Sequence, residues 1–175
     1  MDIKELNIKG LFIIRPRKIE DIRGYFMEVY KPEDLESVGI KFNVVQENIS
    51  LSKKNVFRGF HSQRYPYEQA KLVQCLDGKI LDIVIDMRKD SNTYKKYEVV
   101  ELNSQDRCQL FIPRGFAHGF IAMTDTATIM YKVDNPYNRD SEQTLNYLDK
   151  EINLDYKSLG IDPGRLILSE KDKQS

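Results

Sequence analysis

The sequence predicts an all-β fold, a sandwich or a closed barrel, and three observations carry that expectation. Short apolar segments recur with turn residues between them and no long helical period. Asp77-Gly78 marks a tight hairpin between two such segments. The chain has only two histidines, His61 and His118, and each sits in a glycine-flanked apolar segment: Val56-Phe57-Arg58-Gly59-Phe60-His61-Ser62-Gln63 and Ile112-Pro113-Arg114-Gly115-Phe116-Ala117-His118-Gly119-Phe120. Two strands of that kind present a titratable group into a barrel's interior.

Taken in order, residues 10–14 are the first expected strand, stopped by Pro16. Asp21-Ile22-Arg23-Gly24 is a turn leading into a strand over 25–30. Residues 32–38 read as a short helix, because Pro32 stands in the first turn, acids follow it and Gly39 ends it. Strands are then expected over 42–50, 56–63, 70–76, 80–87, 96–102, 108–112, 119–123 and 127–133, with a loop at Arg64-Tyr65-Pro66-Tyr67. No repeat and no Gly/Ser/Pro-rich linker divides the chain. Residues 1–175 are therefore read as one domain, with a helical or irregular tail over about 136–175 packing on the barrel.

The strand at 80–87 bears on what the barrel holds. Successive side chains point to opposite faces. Leu81, Ile83, Ile85 and Met87 make an aliphatic face that must be core. Ile80, Asp82, Val84 and Asp86 make the other, and acids repeated among aliphatics fit either a half-polar cavity or a solvent face.

Composition excludes several classes. The 27 basic and 27 acidic side chains cancel, so no basic excess points to nucleic acid. Lys53-Lys54 and Lys95-Lys96 read as solvated turns. No apolar run approaches the ~18 residues of a membrane span, and the N-terminus lacks the apolar core of a signal peptide. Cys75 and Cys108 show neither a disulfide framework nor metal-ligand spacing. They read as buried free thiols, and a reducing cytoplasm is the expected compartment.

His61 and Gln63, two apart on a strand, share a face, and His118 from a second strand is placed to converge with them. Arg58, Gln63, Gln69 and Lys71 crowd the first histidine. Gly59-x-His61-x-Gln63 and Pro113-x-Gly115-x-x-His118 resemble the two motifs of the cupin superfamily. Metal-binding cupins carry a second histidine where this chain has Gln63. Two histidines fall short of the roughly three or four ligands a transition metal wants, so no metal is expected.

A closer resemblance rests on an ordered set of segments: Arg23-Gly24-Tyr25-Phe26-Met27-Glu28, Gln46-Glu47-Asn48-Ile49-Ser50, Phe57-Arg58-Gly59-Phe60-His61-Ser62-Gln63, Gln69-Ala70-Lys71-Leu72-Val73, Asp86-Met87-Arg88-Lys89-Asp90-Ser91, Gln109 to Phe120, Tyr131-Lys132 and Leu168-Ser169-Glu170-Lys171-Asp172. Together they resemble the dTDP-4-dehydrorhamnose 3,5-epimerase family over nearly the whole chain. The resemblance implies a metal-free, cupin-type double-stranded β-helix (jelly roll), with short helices near the N-terminus and in the tail. It also implies a homodimer that exchanges strands, no cofactor, and a nucleoside-diphosphate 4-keto-6-deoxy sugar as substrate.

The residue chemistry agrees. Epimerising a carbon beside a ketone requires a base on one face, an acid on the other and a positive group for the enolate oxygen. Histidine, with an ordinary pKa near ~6.5, is a natural base. The resemblance gives that role to His61, with Asp172 orienting it. Lys71 is an obvious cation for the enolate. The resemblance places Lys71 and His118 near the ketone oxygen, with Asp82 as partner of His118. It supplies Tyr131 as the acid, and a phenol with pKa around ~10 keeps its proton at neutral pH. Arg23, Arg58 and Lys171 suit an anionic diphosphate. Glu28, Gln46, Asn48, Gln63 and Glu142 match substrate-contact positions, and Arg23 and Glu28 lie where the family exchanges strands between subunits.

The departures fall on the aromatic side. Ser62 replaces the aromatic that usually follows the catalytic histidine, Pro136 interrupts a pair near Tyr137, and two tryptophan positions read Tyr147 and Tyr156. Inversion at C3 and C5 of dTDP-4-dehydro-6-deoxy-D-glucose is the expected reaction. Inversion at one carbon, a CDP- or GDP-linked sugar, a non-catalytic sugar-binding cupin and a metal-dependent cupin enzyme are the alternatives.

Overall fold

The computed structural model describes residues 1–173. In chain order the elements begin with β1 (Asp2–Glu5), β2 (Phe12–Arg15), β3 (Lys18–Asp21), β4 (Gly24–Met27) and α1 (Pro32–Glu36). The central strands are β5 (Gln46–Lys53), β6 (Phe57–Gln63), β7 (Lys71–Asp77), β8 (Lys79–Asp86) and β9 (Tyr97–Asn103). Then come β10 (Gln109–Ile112), β11 (Phe116–Ala122), β12 (Thr126–Val133), β13 (Glu142–Thr144) and α2 (Glu170–Lys173). Two antiparallel sheets face each other as a cupin-type jelly roll, one ordered β1-β2-β10-β7-β12-β5 and the other β13-β6-β11-β8-β9. The hairpin β3-β4 stands apart from both. Among the described residues no helix is long and apolar enough to cross a membrane.

Apolar packing occurs in three places. Between the sheets, Val73, Leu110 and Ile129 meet Ile80, Val84 and Phe120. Outside the five-stranded sheet, Ile83, Ile85 and Ile121 are covered by Ile152, Leu154 and Tyr156 of the tail. Outside the six-stranded sheet, Ile14, Leu72 and Phe111 are covered by Leu35, Ile40 and Phe42. The aliphatic face of β8 is thus core, sealed by the tail, while its other face looks into the barrel. Asp82 there is fully buried inside, so the cavity reading of that face holds. Asp86, equally buried, lies near the strand's end, bound by Arg88, Ser91 and Thr93.

Several expected boundaries move. The sequence carries no sign of β1, β3 and β13, each a short and largely exposed run of three or four residues, and the strand expected over 25–30 ends at Met27, where pairing with Lys18 stops. The strand expected at 42–50 begins at Gln46, where pairing with Val133 starts; Ile40 and Phe42 are held by burial instead of a ladder. The strand expected at 119–123 begins at Phe116, directly after the turn at Gly115, so His118 lies inside it. Among the described residues the tail is mainly irregular, its α-helix being the short α2. Cys75 and Cys108 are buried and free.

One irregularity positions the site. Along β11, His118 and Phe120 are two residues apart, yet they pair with His61 and Arg58, three apart on β6. The extra residue is a bulge at Gly59-Phe60. It breaks the alternation, so Arg58 and His61 reach the same cavity while Phe57 and Phe60 both pack into the cluster under the tail. A Cβ on Gly59 would stand 2.5 Å from Gly119 Cα, and one on Gly119 would stand 2.8 Å from Arg58 O. Two glycines let the strands approach that closely.

Candidate active site

A cavity of about 520 Å³ opens between the two sheets. His61 from β6 and His118 from β11 enter from the five-stranded sheet and are register partners. Lys71 from β7 and Tyr131 from β12 enter from the opposite sheet. Arg58, Ile129 and Phe120 complete much of the inner wall, and Ile167, Lys171 and Asp172 close it from the tail.

Each histidine is held by a carboxylate. His61 Nε2 meets Asp172 Oδ1 at 2.7 Å. Burial pushes the Asp172 carboxyl up, but hydrogen bonds from His61 and Ser169 outweigh it and leave the group below its ordinary value. An ionised carboxylate only accepts, so His61 Nε2 is the donor in this contact, and Nδ1 is the ring nitrogen it leaves unused. His118 Nε2 lies 2.5 Å from Asp82 Oδ1. Burial lowers the His118 pKa against the pull of Asp82, favouring the neutral ring.

Across the cavity, burial pulls the Lys71 ammonium down to about 8, opposed by Asp82 and Glu142. Burial raises the Tyr131 phenol above its usual value, with Arg58 pulling the other way, so it holds its proton at neutral pH. Arg58 Nε donates to Ser52 Oγ at 3.0 Å and its Nη2 to Leu51 O at 3.2 Å. Lys171 pairs with Glu142, which also accepts from Tyr137 Oη at 2.9 Å. Burial raises the Glu142 carboxyl, but the bonds from Lys171 and Tyr137 bring it below its ordinary value.

The structure therefore brings together His61, Asp172, Lys71, His118, Asp82, Tyr131, Arg58 and Lys171. Gln46 and Asn48 lie on the neighbouring edge strand β5, joined to each other at 2.9 Å, and Asn48 pairs with Tyr131 in the ladder. Gln63 lies elsewhere: strict alternation puts it on the face of His61, but at the end of β6 it lines a different cavity, its Oε1 accepting from Asn138 N. Arg23 and Glu28 do not reach this chain's own cavity. Arg23 is tied to Asp21 at the exposed hairpin and Glu28 is exposed just beyond it. Sequence reasoning missed Ser52, which steers Arg58, and Ser169, which bonds Asp172; small hydroxyls on strands and loops carry no signal of their own. Among the described residues no group of three or more His, Cys, Asp or Glu side chains is set to hold a metal ion.

Comparison with known proteins gives a consistent result. A family model described as dTDP-4-dehydrorhamnose 3,5-epimerase matches residues 5–175. A protein of that name from Shigella flexneri is 40% identical over 157 residues, covering 89% of this chain and 87% of its own. The crystal structure of a dTDP-4-dehydrorhamnose 3,5-epimerase from Elizabethkingia anophelis NUHP1 superposes with a TM-score of 0.94 at 40% identity, covering 100% of this chain and 94% of that one. A dTDP-6-deoxy-D-glucose-3,5-epimerase from Legionella pneumophila Philadelphia 1, solved with dTDP-4-keto-L-rhamnose, superposes with a TM-score of 0.92 at 35% identity, covering 99% and 90%.

Proposed function

This chain belongs to the dTDP-4-dehydrorhamnose 3,5-epimerase family, and we propose that it inverts C3 and C5 of dTDP-4-dehydro-6-deoxy-D-glucose with His61 as base and Tyr131 as acid. The observation that carries the assignment is that the two groups stand on opposite sheets of one cavity. A carbon held between them loses its proton to one wall and receives a proton from the other, which is inversion. His61 Nδ1 takes the proton, because Nε2 is committed to Asp172. The Asp172 carboxylate stabilises the imidazolium that forms. The electron pair moves to the ketone oxygen, where the Lys71 ammonium supplies the positive charge from the far sheet. His118, braced by Asp82, lines the same pocket beside it. Tyr131 then delivers its proton to the opposite face of the carbon.

Arg58 and Lys171 are assigned to the diphosphate, with Lys171 leaving Glu142 for it. Gln46, Asn48 and Glu142 are assigned to the sugar and nucleoside. Arg23 and Glu28 serve a partner's cavity in a homodimer. The hairpin that carries Arg23 exposes Ile19, Ile22 and Phe26, and edge strand β5 exposes Ile49 and Leu51. Residues 1–175 act as one unit, since the tail delivers Asp172. A nucleotide-sugar substrate and two free buried thiols accord with the cytoplasm.

Incubation with dTDP-4-dehydro-6-deoxy-D-glucose in D2O, read by NMR and mass spectrometry, tests the reaction. Deuterium at both C3 and C5 is expected, and deuterium at one carbon would make this a mono-epimerase. His61→Ala should remain folded and lose nearly all exchange; near-normal exchange would remove His61 as base. For the dimer, mixing inactive Arg23→Ala and His61→Ala chains should restore part of the activity, because each heterodimer keeps one complete site. No restoration would sink the shared-site assignment.

A further inference from the structure

Asp172 stands on α2, a single turn of four residues, and a helix that short does not hold its own shape. The chain leading into it is fastened at Ile167, whose N–H donates to Asn55 O at 2.8 Å and whose carbonyl accepts from Phe57 N at 3.0 Å. Past that point, side-chain contacts decide where the carboxylate aims. The Asp172 side chain is buried, and its Oδ1 lies 2.7 Å from His61 Nε2. The last torsion of an aspartate is soft, so the histidine contact alone does not set the plane of the carboxylate. Ser169 supplies a second hold. Its Oγ accepts from Asp172 N at 3.2 Å. The same hydroxyl is hydrogen-bonded to the Asp172 carboxylate and, with His61, holds that group below its ordinary value. One hydroxyl thus grips Asp172 by main chain and side chain together. Ser169 itself is exposed at the edge of the reaction cavity, so it adds nothing to the core between the sheets.

We propose that Ser169 is a positioning residue for the epimerisation: its hydroxyl fixes the Asp172 carboxylate, which in turn holds the His61 ring with Nδ1 toward the substrate. A carboxylate free to turn would let the imidazole swing about its Cβ–Cγ bond, and the base would meet the carbon at a poorer angle. Ser169 acts through Asp172, so its removal slows the chemical step and leaves substrate binding as it is. The inference rests on the role given to His61 above.

Ser169→Ala should lower kcat about five- to tenfold with KM unchanged, the scale of one hydrogen bond. Ser169→Thr, which keeps the hydroxyl, should restore the rate. Both variants change an exposed residue, and urea melts should show both folded. In the Asp172→Asn background, Ser169→Ala should alter kcat by less than about twofold, because two residues acting through one contact do not add. The chain's two histidines allow a readout that needs no turnover. With His61→Ala as reference, 15N NMR of the ligand-free protein identifies the His61 Nε2–H. That proton should exchange with water faster in Ser169→Ala and regain its protection in Ser169→Thr. An equal fold loss in both backgrounds overturns the proposal, since Ser169 would then act without Asp172. A loss carried by KM overturns it too and makes Ser169 a substrate contact. So does an unchanged His61 signal in Ser169→Ala, or a Ser169→Thr variant as slow as Ser169→Ala. If His61→Ala keeps exchanging substrate hydrogen, the base assignment fails instead, and the NMR comparison still decides whether Ser169 aims Asp172.

Discussion

Lys71→Met replaces a buried ammonium by an apolar side chain of similar length, and it should make the protein more stable and nearly inactive. Burial takes Lys71 from an ordinary 10.5 to about 8, with Asp82 and Glu142 already pulling the other way. Each pH unit of displacement corresponds to about 1.4 kcal/mol, so keeping this lysine protonated at pH 7 costs the folded state about 3 kcal/mol. The folded protein releases the proton near pH 8 and the unfolded chain near 10.5. Below the first value the cost is present in full; between the two it shrinks, because the unfolded chain binds more protons; above the second it is gone. Wild-type stability should gain from this group as pH rises through that window, and Lys71→Met should lack the gain. Urea unfolding at pH 7 should show the variant more stable by roughly 1–3 kcal/mol, with the margin narrowing toward pH 10. Its turnover should fall by about two to three orders of magnitude, the usual cost of removing an enolate-stabilising group. A variant less stable than wild type at pH 7, or a margin that ignores pH, would refute the buried, charged Lys71 on which the enolate argument depends.

Asp172→Asn removes the charge that stabilises the His61 imidazolium, and kcat should fall roughly 10- to 100-fold with little change in KM; a loss confined to KM would make Asp172 a substrate contact. Tyr131→Phe should still take up solvent deuterium but yield inverted product at least about 100-fold more slowly, and equal loss of exchange and inversion would remove Tyr131 as the acid. Gly119→Ala drives a methyl to 2.8 Å from Arg58 O and should cost about 2 kcal/mol or more in a urea melt, with loss of turnover. Unchanged stability would mean the bulged strand has room that this packing denies.

Much of this architecture was legible because it depends on local pattern. The two-residue alternation of β8 correctly separated Ile83 and Ile85, under the tail, from Asp82, in the barrel. Pro32 marked the start of the short helix α1, which ends at Glu36 and passes through a turn to Gly39, and Asp77-Gly78 marked the turn between β7 and β8. What escaped depends on partners that local pattern does not name. β13 is a strand because Glu142, Gln143 and Thr144 find Gln63, Ser62 and His61 across the gap. The bulge at Gly59-Phe60 is invisible to alternation, which would set Arg58 and His61 on opposite faces. The same counting put Gln63 beside His61, although the strand ends there and the side chain enters another cavity. Asp172 lies 111 residues from His61, and only the family resemblance connected them in advance.

That distance has a mechanical meaning. Asp172 reaches His61 because the tail is fastened to the five-stranded sheet, through Ile152, Leu154 and Tyr156 and through the parallel bridge of Ile167 with Val56. Apolar burial on the outside of the barrel therefore positions a carboxylate on the inside. The same division explains how the interior accommodates a lysine and a fully buried aspartate, which disfavour folding unless paired. Two of the three apolar clusters lie on the outer faces of the sheets, away from these charges. They stabilise the barrel from outside and leave its centre for proton transfer. Loosening the tail should thus reach activity before it reaches the core between the sheets, since the base loses its carboxylate partner while that inner packing is still intact.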